Sequence, residues 1–416
     1  MKPTTSAPKL ILEVLDEKDI RNIEAAAWDE LSRNALDENP FYARSYVLAG
    51  LNTIDRASGL RAVCVRSEDG SQLLGMFPFR LKQLPLTRAV AATNLYQFCS
   101  QPLINKDRAD DVIVAWSDAI RTSQIPRRWS FPHVDLCSRF AQRLNFLAGT
   151  SSLRCLPLAN YRRSRLTRSS CDFAEHLRST VSRSRVKDIQ RTIRRLEELG
   201  EVRFERAADP ALVTQRIEQF LAVEHAGWKG KAGTSFLSKP QHARFARQAF
   251  CPRDGQTSVD SLLLDDKPIA LSINMQAGET IFTPKCAYDE RYRKFSPGLV
   301  LEYMIVEAFY AGTDCTDMDS STTADGHVIQ GLWNGDVPMG TLVVGPRNWG
   351  TDCIARLHTV GWAARQRAKT LGKGAIAHAQ GLARTWRRHV QRLSANIFMG
   401  STGLVHTLEH VLTQPI

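Results

Sequence analysis

The sequence predicts a mixed α/β (α+β) protein of two similar halves, with mixed central sheets flanked by helices and a helical tail at the C-terminus. Three observations carry this. The order strand–strand–strand–helix–strand occurs twice in the apolar patterning. A basic amphipathic helix opens the second occurrence. Past about Thr351 the chain turns rich in Arg and poor in acid, as in "ARLHTVGWAARQRAKTLGKG" and "GLARTWRRHVQRL".

In the first half, "LRAVCVRSEDGSQLLGMFPFRL" (Leu60 to Leu81) reads as two strands about a turn near Asp69-Gly70. "TRAVAATNLYQF" is the third strand candidate, "DDVIVAWSDAI" the helix and "RRWSFPHVDL" the closing strand. In the second half, "VDSLLLDDKPIALSINM" (Val259 to Met275) is the hairpin, turning at Asp265 to Pro268. "ETIFTPKCAYDE", "GLVLEYMIVEAF" and "CTDMDSST" follow as strand, helix and strand. The halves meet near Ser152 to Ser170. This places a first lobe at 1–155, a second at 156–347 and the tail at 348–416. The basic helix has an apolar stripe of Val186, Ile189, Ile193, Leu196 and Leu199, ends at Gly200, and carries Arg183, Arg185, Lys187, Arg191, Arg194 and Arg195 mostly off that stripe. Those cations form either a solvated face or an anion-binding one.

A chain of 416 residues is long enough for two domains with sizeable cores. Its net charge of +12 points to an anionic partner: a phosphorylated cofactor, nucleic acid or a membrane face. The nine cysteines show no CxxC spacing, which argues against a zinc site or a secreted disulfide framework and for a reducing cytosol. The start, "MKPTTSAPKL", lacks a signal-peptide core, and no run approaches the roughly 20 apolar residues of a membrane span. The tail either packs its apolar side on the second lobe or lies on an anionic membrane.

The stretch "FLAVEHAGWKGKAGTS" (Phe220 to Ser235) sets Trp228 and Lys229 between glycines but lacks the Lys-Ser/Thr ending of a P-loop. Ahead of it, Val213, Ile217, Phe220 and Leu221 make a helical stripe that Glu224 continues. An inward carboxylate is desolvated, which raises its pKa and suits a general base. The alternative is a Glu paired with Lys229 or Arg216. His225 points about 100° away, toward the surface. Downstream, Arg291, Arg293 and Lys294 precede Ser296-Pro297-Gly298, where Ser caps and Pro begins a helix. Free N–H groups there suit phosphate, and Gly298 leaves room for a ligand to approach. The alternative is an ordinary turn with solvated charges.

Three segments resemble the CelD/BcsL group of GNAT-superfamily acetyltransferases, a group linked to bacterial cellulose biosynthesis. They are "FLAVEHAGWKGKAGTS", "DSLLLDDKPIALSINMQAGETIFTPKCAYDERYRKFSPGLVLEYMIVEAF" and "LWNGDVPMGTLVV". "NPFYARSYVLAGL" resembles the same group near the start. The resemblance runs from about Trp28 to Arg347 and is strongest from Arg183 to Gly340. Relatives of the group include the two-lobed FemAB/FemX transferases.

The resemblance implies tandem GNAT-like folds and acetyl-CoA or another acyl-CoA as co-substrate, without a metal. Pantetheine would lie along the strand Glu279 to Tyr288, with a backbone N–H polarising the thioester carbonyl. Glu224 would be the base, or else Asp289 or Asp319, and Tyr288 would protonate the thiolate. Trp228, Lys229 and Lys285 would meet substrate, with the glycines letting the 227–233 loop close. Arg291, Arg293, Lys294, Ser296 and Gly298 would hold the cofactor. The acceptor would be an amine on a small molecule, sugar precursor or peptide, and DNA is not expected. In the first lobe the matching loop, "SQPLINKDRADD", lacks glycine and is followed by acids, so that lobe would bind no donor and would shape the acceptor cleft. Two rival functions remain. One is a FemAB-like transferase using aminoacyl-tRNA, and the other a non-catalytic regulator of a membrane-bound polysaccharide synthase.

Overall fold

The computed structural model describes residues 10–368 apart from 85, 170, 252–255, 323–328 and 330. The chain divides into a large unit, Met1–Ala355, and a second unit, Arg356–Ile416. In the second unit residues 356–368 are helical, and the rest of the basic tail lies outside the described residues.

The large unit begins with β1 (Ile11–Leu15), α1 (Glu17–Arg21), α2 (Ala25–Arg33) and α3 (Arg44–Asn52). The first hairpin is β2 (Leu60–Arg66) and β3 (Leu73–Lys82), followed by β4 (Arg88–Ala91) and the short β5 (Leu103–Ile104). Then come α4 (Ala109–Thr122), β6 (Trp129–Asp135), α5 (Arg139–Thr150) and β7 (Leu153–Thr167). Along β2, Val63 and Val65 face one core while Ala62 and Cys64 face another. A strand buried on both faces reads as a continuous apolar run, as "AVCV" does.

The second half adds α6 (Phe173–Thr180), α7 (Arg183–Glu197), β8 (Val202–Ala207), α8 (Pro210–Ala226), α9 (Trp228–Lys231) and α10 (Pro240–Ala249). The second hairpin is β9 (Thr257–Leu264) and β10 (Lys267–Ala277), followed by β11 (Thr280–Tyr288). Its turn residues Asp265 and Asp266 both have positive φ, the two-residue turn that matches strand twist. α11 (Pro297–Gly312), β12 (Asp317–Asp319) and β13 (Gly335–Pro346) complete the half. In α7, Ile189 and Leu196 are buried as expected, but Leu199 is exposed because the helix ends at Glu197 before its stripe returns to the core.

One sheet contains all the strands of the described residues, in the order β1-β2-β3-β4-β6-β13-β7-β12-β11-β10-β9-β8, with β5 on β3. The halves exchange their last strands. β7, which follows the first half's α5, pairs with β12, and β13, which follows the second half's β12, pairs with β6. β7 and β13 pair with each other from Gly335↔Arg165 to Pro346↔Leu153. This long central ribbon joins the two predicted sheets into one. The strand pattern repeats as read, while the exchange is a long-range pairing that local patterning does not encode. The cluster of α8, α10, β10 and β11 also takes Phe41, Tyr46 and Tyr96 from the first half.

Candidate active site

β11 and β12 run parallel through Thr280↔Asp317, Ile281↔Met318 and Phe282↔Asp319, and then part. β11 continues on its other edge with β10 as far as Tyr288. Among the described residues, its backbone edge toward β12 is therefore open from Thr283 onward. Local chemistry explains the parting. Pro284 has no N–H to extend a ladder. Ser321 turns away with φ +47°, held by Asp319, whose Oδ1 accepts from its N–H at 2.7 Å and its hydroxyl at 3.3 Å. Thr283 Oγ1, a side chain, reaches the Asp319 carbonyl at 3.4 Å. The wedge opens into a cavity of about 400 Å³ whose walls include Thr283 to Tyr288, Ser320 to Thr322, Glu224, Trp228 and Lys229. Ser320 in that wall is 3% exposed, and its hydroxyl has no hydrogen-bond partner among the described residues. A buried hydroxyl in this state costs about 1–3 kcal/mol unless something else meets it.

The opposite wall comes from α8 and α9. Asp209 caps α8 by accepting from the N–H groups of Ala211 and Leu212, and Pro210 starts it. The inward stripe is as predicted, with Glu224 4% exposed. Both of its oxygens have donors: Lys229 Nζ at 2.9 Å on Oε1 and the Phe236 N–H at 2.9 Å on Oε2. Of the predicted alternatives, pairing with Lys229 is present, and Arg216 pairs instead with Glu205 at 2.7 Å. The expected loose loop is a one-turn helix. Glu290 Oε1 accepts from the Trp228 N–H at 2.7 Å. Gly230 passes so close to the His225 carbonyl that a Cβ would overlap the oxygen. These glycines serve close approach and, at Gly233 (φ +67°), a left-handed turn, rather than a hinge. Trp228 is 59% exposed beside the cavity. His225 is exposed, with Nδ1 2.8 Å from Ser235 Oγ.

Lys285 projects from β11 among three rings. Its Nζ lies 4.6 Å from the centroid of Tyr96, 5.1 Å from Phe236 and 5.8 Å from Phe98. Burial, and then the Lys229 charge, push its pKa down to about 8. Tyr288 also lines the cavity. Asp289 does not: its oxygens hold the Arg291 guanidinium at 2.5–3.0 Å, which lowers its pKa, and its Oδ1 also accepts from the Arg291 backbone N–H at 3.0 Å as an N-terminal cap. Asp319 faces a different cavity of about 290 Å³ on the other side of the parting. It pairs at 3.5 Å with Arg163, a guanidinium only 1% exposed. Arg163 also donates to the Phe98 carbonyl at 2.5 Å and the Tyr161 hydroxyl at 3.1 Å, joining the two halves beneath the site. Of the predicted residues, Glu224, Trp228, Lys229, Lys285 and Tyr288 share one cavity, whereas Asp289 and Asp319 stand outside it.

The start of α11 lies beside Tyr288. A Cβ on Gly298 would meet only Tyr288 Cδ1, at 3.7 Å, so packing does not demand glycine there. Ser296 does not cap as expected. It sits in the left-handed region (φ +45°) and its side chain makes no cap bond; its carbonyl accepts from the N–H groups of Leu299 and Val300, which leaves the Gly298 N–H as the one first-turn donor without a partner among the described residues. Arg293 and Lys294 are exposed next to it, while Arg291 is partly neutralised by Asp289. At the matching place in the first half, Asp110 and Asp111 occupy the first turn of α4.

Some groups with unusual environments were not singled out in the sequence. Glu302, one turn into α11, is buried, and desolvation pushes its pKa up to about 7. Trp333 Nε1 donates to it at 2.7 Å. A lone acid inside "GLVLEYMIV" was the available signal. Ser320 and Ser321 carried none, because their state depends on where β11 and β12 separate.

Residues 183–327 match the model of a family described as Acetyltransferase (GNAT) domain. The parted strands, α8, α9 and the start of α11 all lie within the matched residues. No curated protein matches the chain. Among solved structures, FemX is 11% identical at a TM-score of 0.50, covering 77% of this chain and 96% of FemX. A conserved protein of unknown function from Bacteroides thetaiotaomicron VPI-5482 is 10% identical at a TM-score of 0.49, with 78% and 98% covered. A tandem GNAT protein from the clavulanic acid biosynthesis pathway is 12% identical at 0.38, with 80% and 98% covered. At such identities the FemX likeness concerns the fold alone. Among the described residues no helix is long and apolar enough to cross a membrane, and no cluster of three His, Cys, Asp or Glu side chains is placed to hold a metal ion.

Proposed function

We propose that the protein is a GNAT-type N-acyltransferase that moves an acetyl or related acyl group from acyl-coenzyme A to an amine by direct attack. The observation that carries this reading is the wedge between two parallel strands, running from an open β11 edge to an uncapped helix start. Acyl-coenzyme A would supply the acyl group as an activated thioester. The free β11 edge suits the amide groups of a pantetheine arm. The start of α11, Gly298 and the exposed Arg293 and Lys294 suit a pyrophosphate. A backbone N–H of the open edge would polarise the thioester carbonyl. Trp228 would cover the acyl group, and Tyr288 would donate a proton to the departing thiolate. The acceptor amine enters between the halves, where Tyr96 and Phe98 of the first half complete the wall. Membership of the CelD/BcsL group, work on a bacterial polysaccharide and a cytoplasmic location are parts of the same proposal.

The test is calorimetric titration with acetyl-coenzyme A. One site per chain is expected, and Gly298→Glu should weaken it at least about tenfold, since it places bulk and negative charge where phosphate would sit. Unchanged binding would place the donor elsewhere. A second reading, transfer from aminoacyl-tRNA, draws on the exposed Arg183, Lys187, Arg191, Arg194 and Arg195 of α7. It requires salt-sensitive tRNA binding that charge reversal on α7 abolishes.

A further inference from the structure

Two carboxylates and two ammonium groups line the cavity, but both carboxylates already accept from other groups. Two lysines, Lys229 and Lys285, line it beside Glu224. Glu224 is committed to Lys229 at 2.9 Å. The other acid in the wall, Glu290, accepts from the Trp228 N–H and lies 3.6 Å from Lys231. Among the described residues Lys285 has no ion-pair partner within 4.0 Å. Among the described residues it also has no hydrogen-bond acceptor, only the faces of Tyr96, Phe98 and Phe236. Ring faces attract an ammonium by about 0.5–2 kcal/mol, well short of the hydration it gives up.

The remaining groups around Lys285 do not change this. Lys229 repels its charge and Glu224 attracts it, but Glu224 is already paired. The Tyr96 hydroxyl is 2.6 Å from His242 Nδ1, and burial holds its pKa well above the ordinary phenol value, so it stays neutral. Lys239 and His242 line the adjoining cavity of about 320 Å³, which shares Glu224, Trp228, Lys229 and Lys285 with the first. Lys285 thus stands between the open edge of β11 and a second opening formed by both halves.

We propose that Lys285 is the base of the reaction, taking the proton from the acceptor amine as it attacks the thioester. This rests on the acyltransferase reading above. The attacking nitrogen forms a C–N bond to the acyl carbon, and the C–S bond to coenzyme A breaks. Neutral Lys285 Nζ takes the proton that the nitrogen loses, and the thiolate takes one from Tyr288 or solvent. A base with a pKa near 8 is matched to neutral-pH catalysis. Glu224 then has a positioning role: it anchors Lys229 and the turn at Phe236 that supplies one ring.

The experiment is trace acetic anhydride labelling of the whole chain across pH 6–11, read lysine by lysine by peptide mass spectrometry. Lys285 labelling should rise with a midpoint near pH 8, against about 10.4 for ordinary lysines. Saturating coenzyme A should suppress it at least tenfold and spare surface lysines. Turnover of acetyl-coenzyme A with ethylamine as acceptor should fall about 100-fold in Lys285→Arg, which keeps a cation but cannot act as a base at neutral pH. A Lys285 midpoint near 10, labelling that bound coenzyme A leaves unchanged, or full turnover in Lys285→Arg would each overturn the assignment. Failure of coenzyme A to bind would instead count against the acyltransferase reading, so the two fail separately.

Discussion

Replacing Glu302 by Gln should stabilise the protein at alkaline pH relative to acid pH. Glu302 lies buried in α11, with Trp333 Nε1 as its donor and Asp260 as an unfavourable neighbour. Asp260 is itself held by Arg206 at 2.7 Å and Asn274 at 2.8 Å. Burial raises the Glu302 pKa from an ordinary 4.5 to about 7. The folded state therefore binds a proton more tightly than the unfolded chain. The stability this contributes is fully present below about pH 4.5 and is lost as pH rises through about 7. At about 1.4 kcal/mol per tenfold change, the full swing is roughly 3 kcal/mol. Gln keeps the carbonyl that accepts from Trp333 and removes the titration, while its amide adds an offset that does not vary with pH. Guanidinium unfolding of both proteins at pH 5, 6, 7 and 8 gives the difference directly. Between pH 5 and 8 that difference should move toward the variant by about 2–3 kcal/mol. A difference that stays flat would mean that Glu302 is solvated or paired in the folded protein, and the argument from burial would fail.

Glu224→Gln should cost about 1–3 kcal/mol in chemical denaturation, because Lys229 and the Phe236 N–H lose a charged acceptor. A variant of unchanged stability with abolished turnover would return the base role to Glu224. Arg163→Met should be more damaging, about 3–5 kcal/mol, since it strands the buried Asp319 and removes the tie to the Phe98 carbonyl; a loss below about 1 kcal/mol would show that the junction is solvated. Acetyl-coenzyme A should bind once per chain, and a second site by calorimetry would mean that the first half, despite Asp110 and Asp111 at α4, also takes donor.

The order of strands and helices was legible in the sequence because it rests on local periodicity and turn chemistry. Asp69-Gly70 and Asp265-Asp266 punctuate the hairpins, and the stripe from Val213 to Glu224 emerges with its carboxylate inward. Motif chemistry also pointed to the start of α11 and to the Trp228 segment. Other features depend on partners far along the chain, and only the tertiary structure decided them. The exchange of β7 and β13 is a pairing between residues nearly two hundred positions apart, which no local pattern encodes. Ser296 reads as a cap by residue type, yet a left-handed backbone turns its hydroxyl away from that duty. Asp289 and Asp319 read as alternatives to Glu224, and Arg291 and Arg163 take them out of the cavity. The resemblance placed Lys285 against substrate, but no feature of the sequence indicated its protonation. Its state is set by Tyr96 and Phe98 from the other half and by the prior claim of Lys229 on Glu224. Residue type sets what a side chain is able to do, and the charges and rings brought to it through space determine which proton it holds.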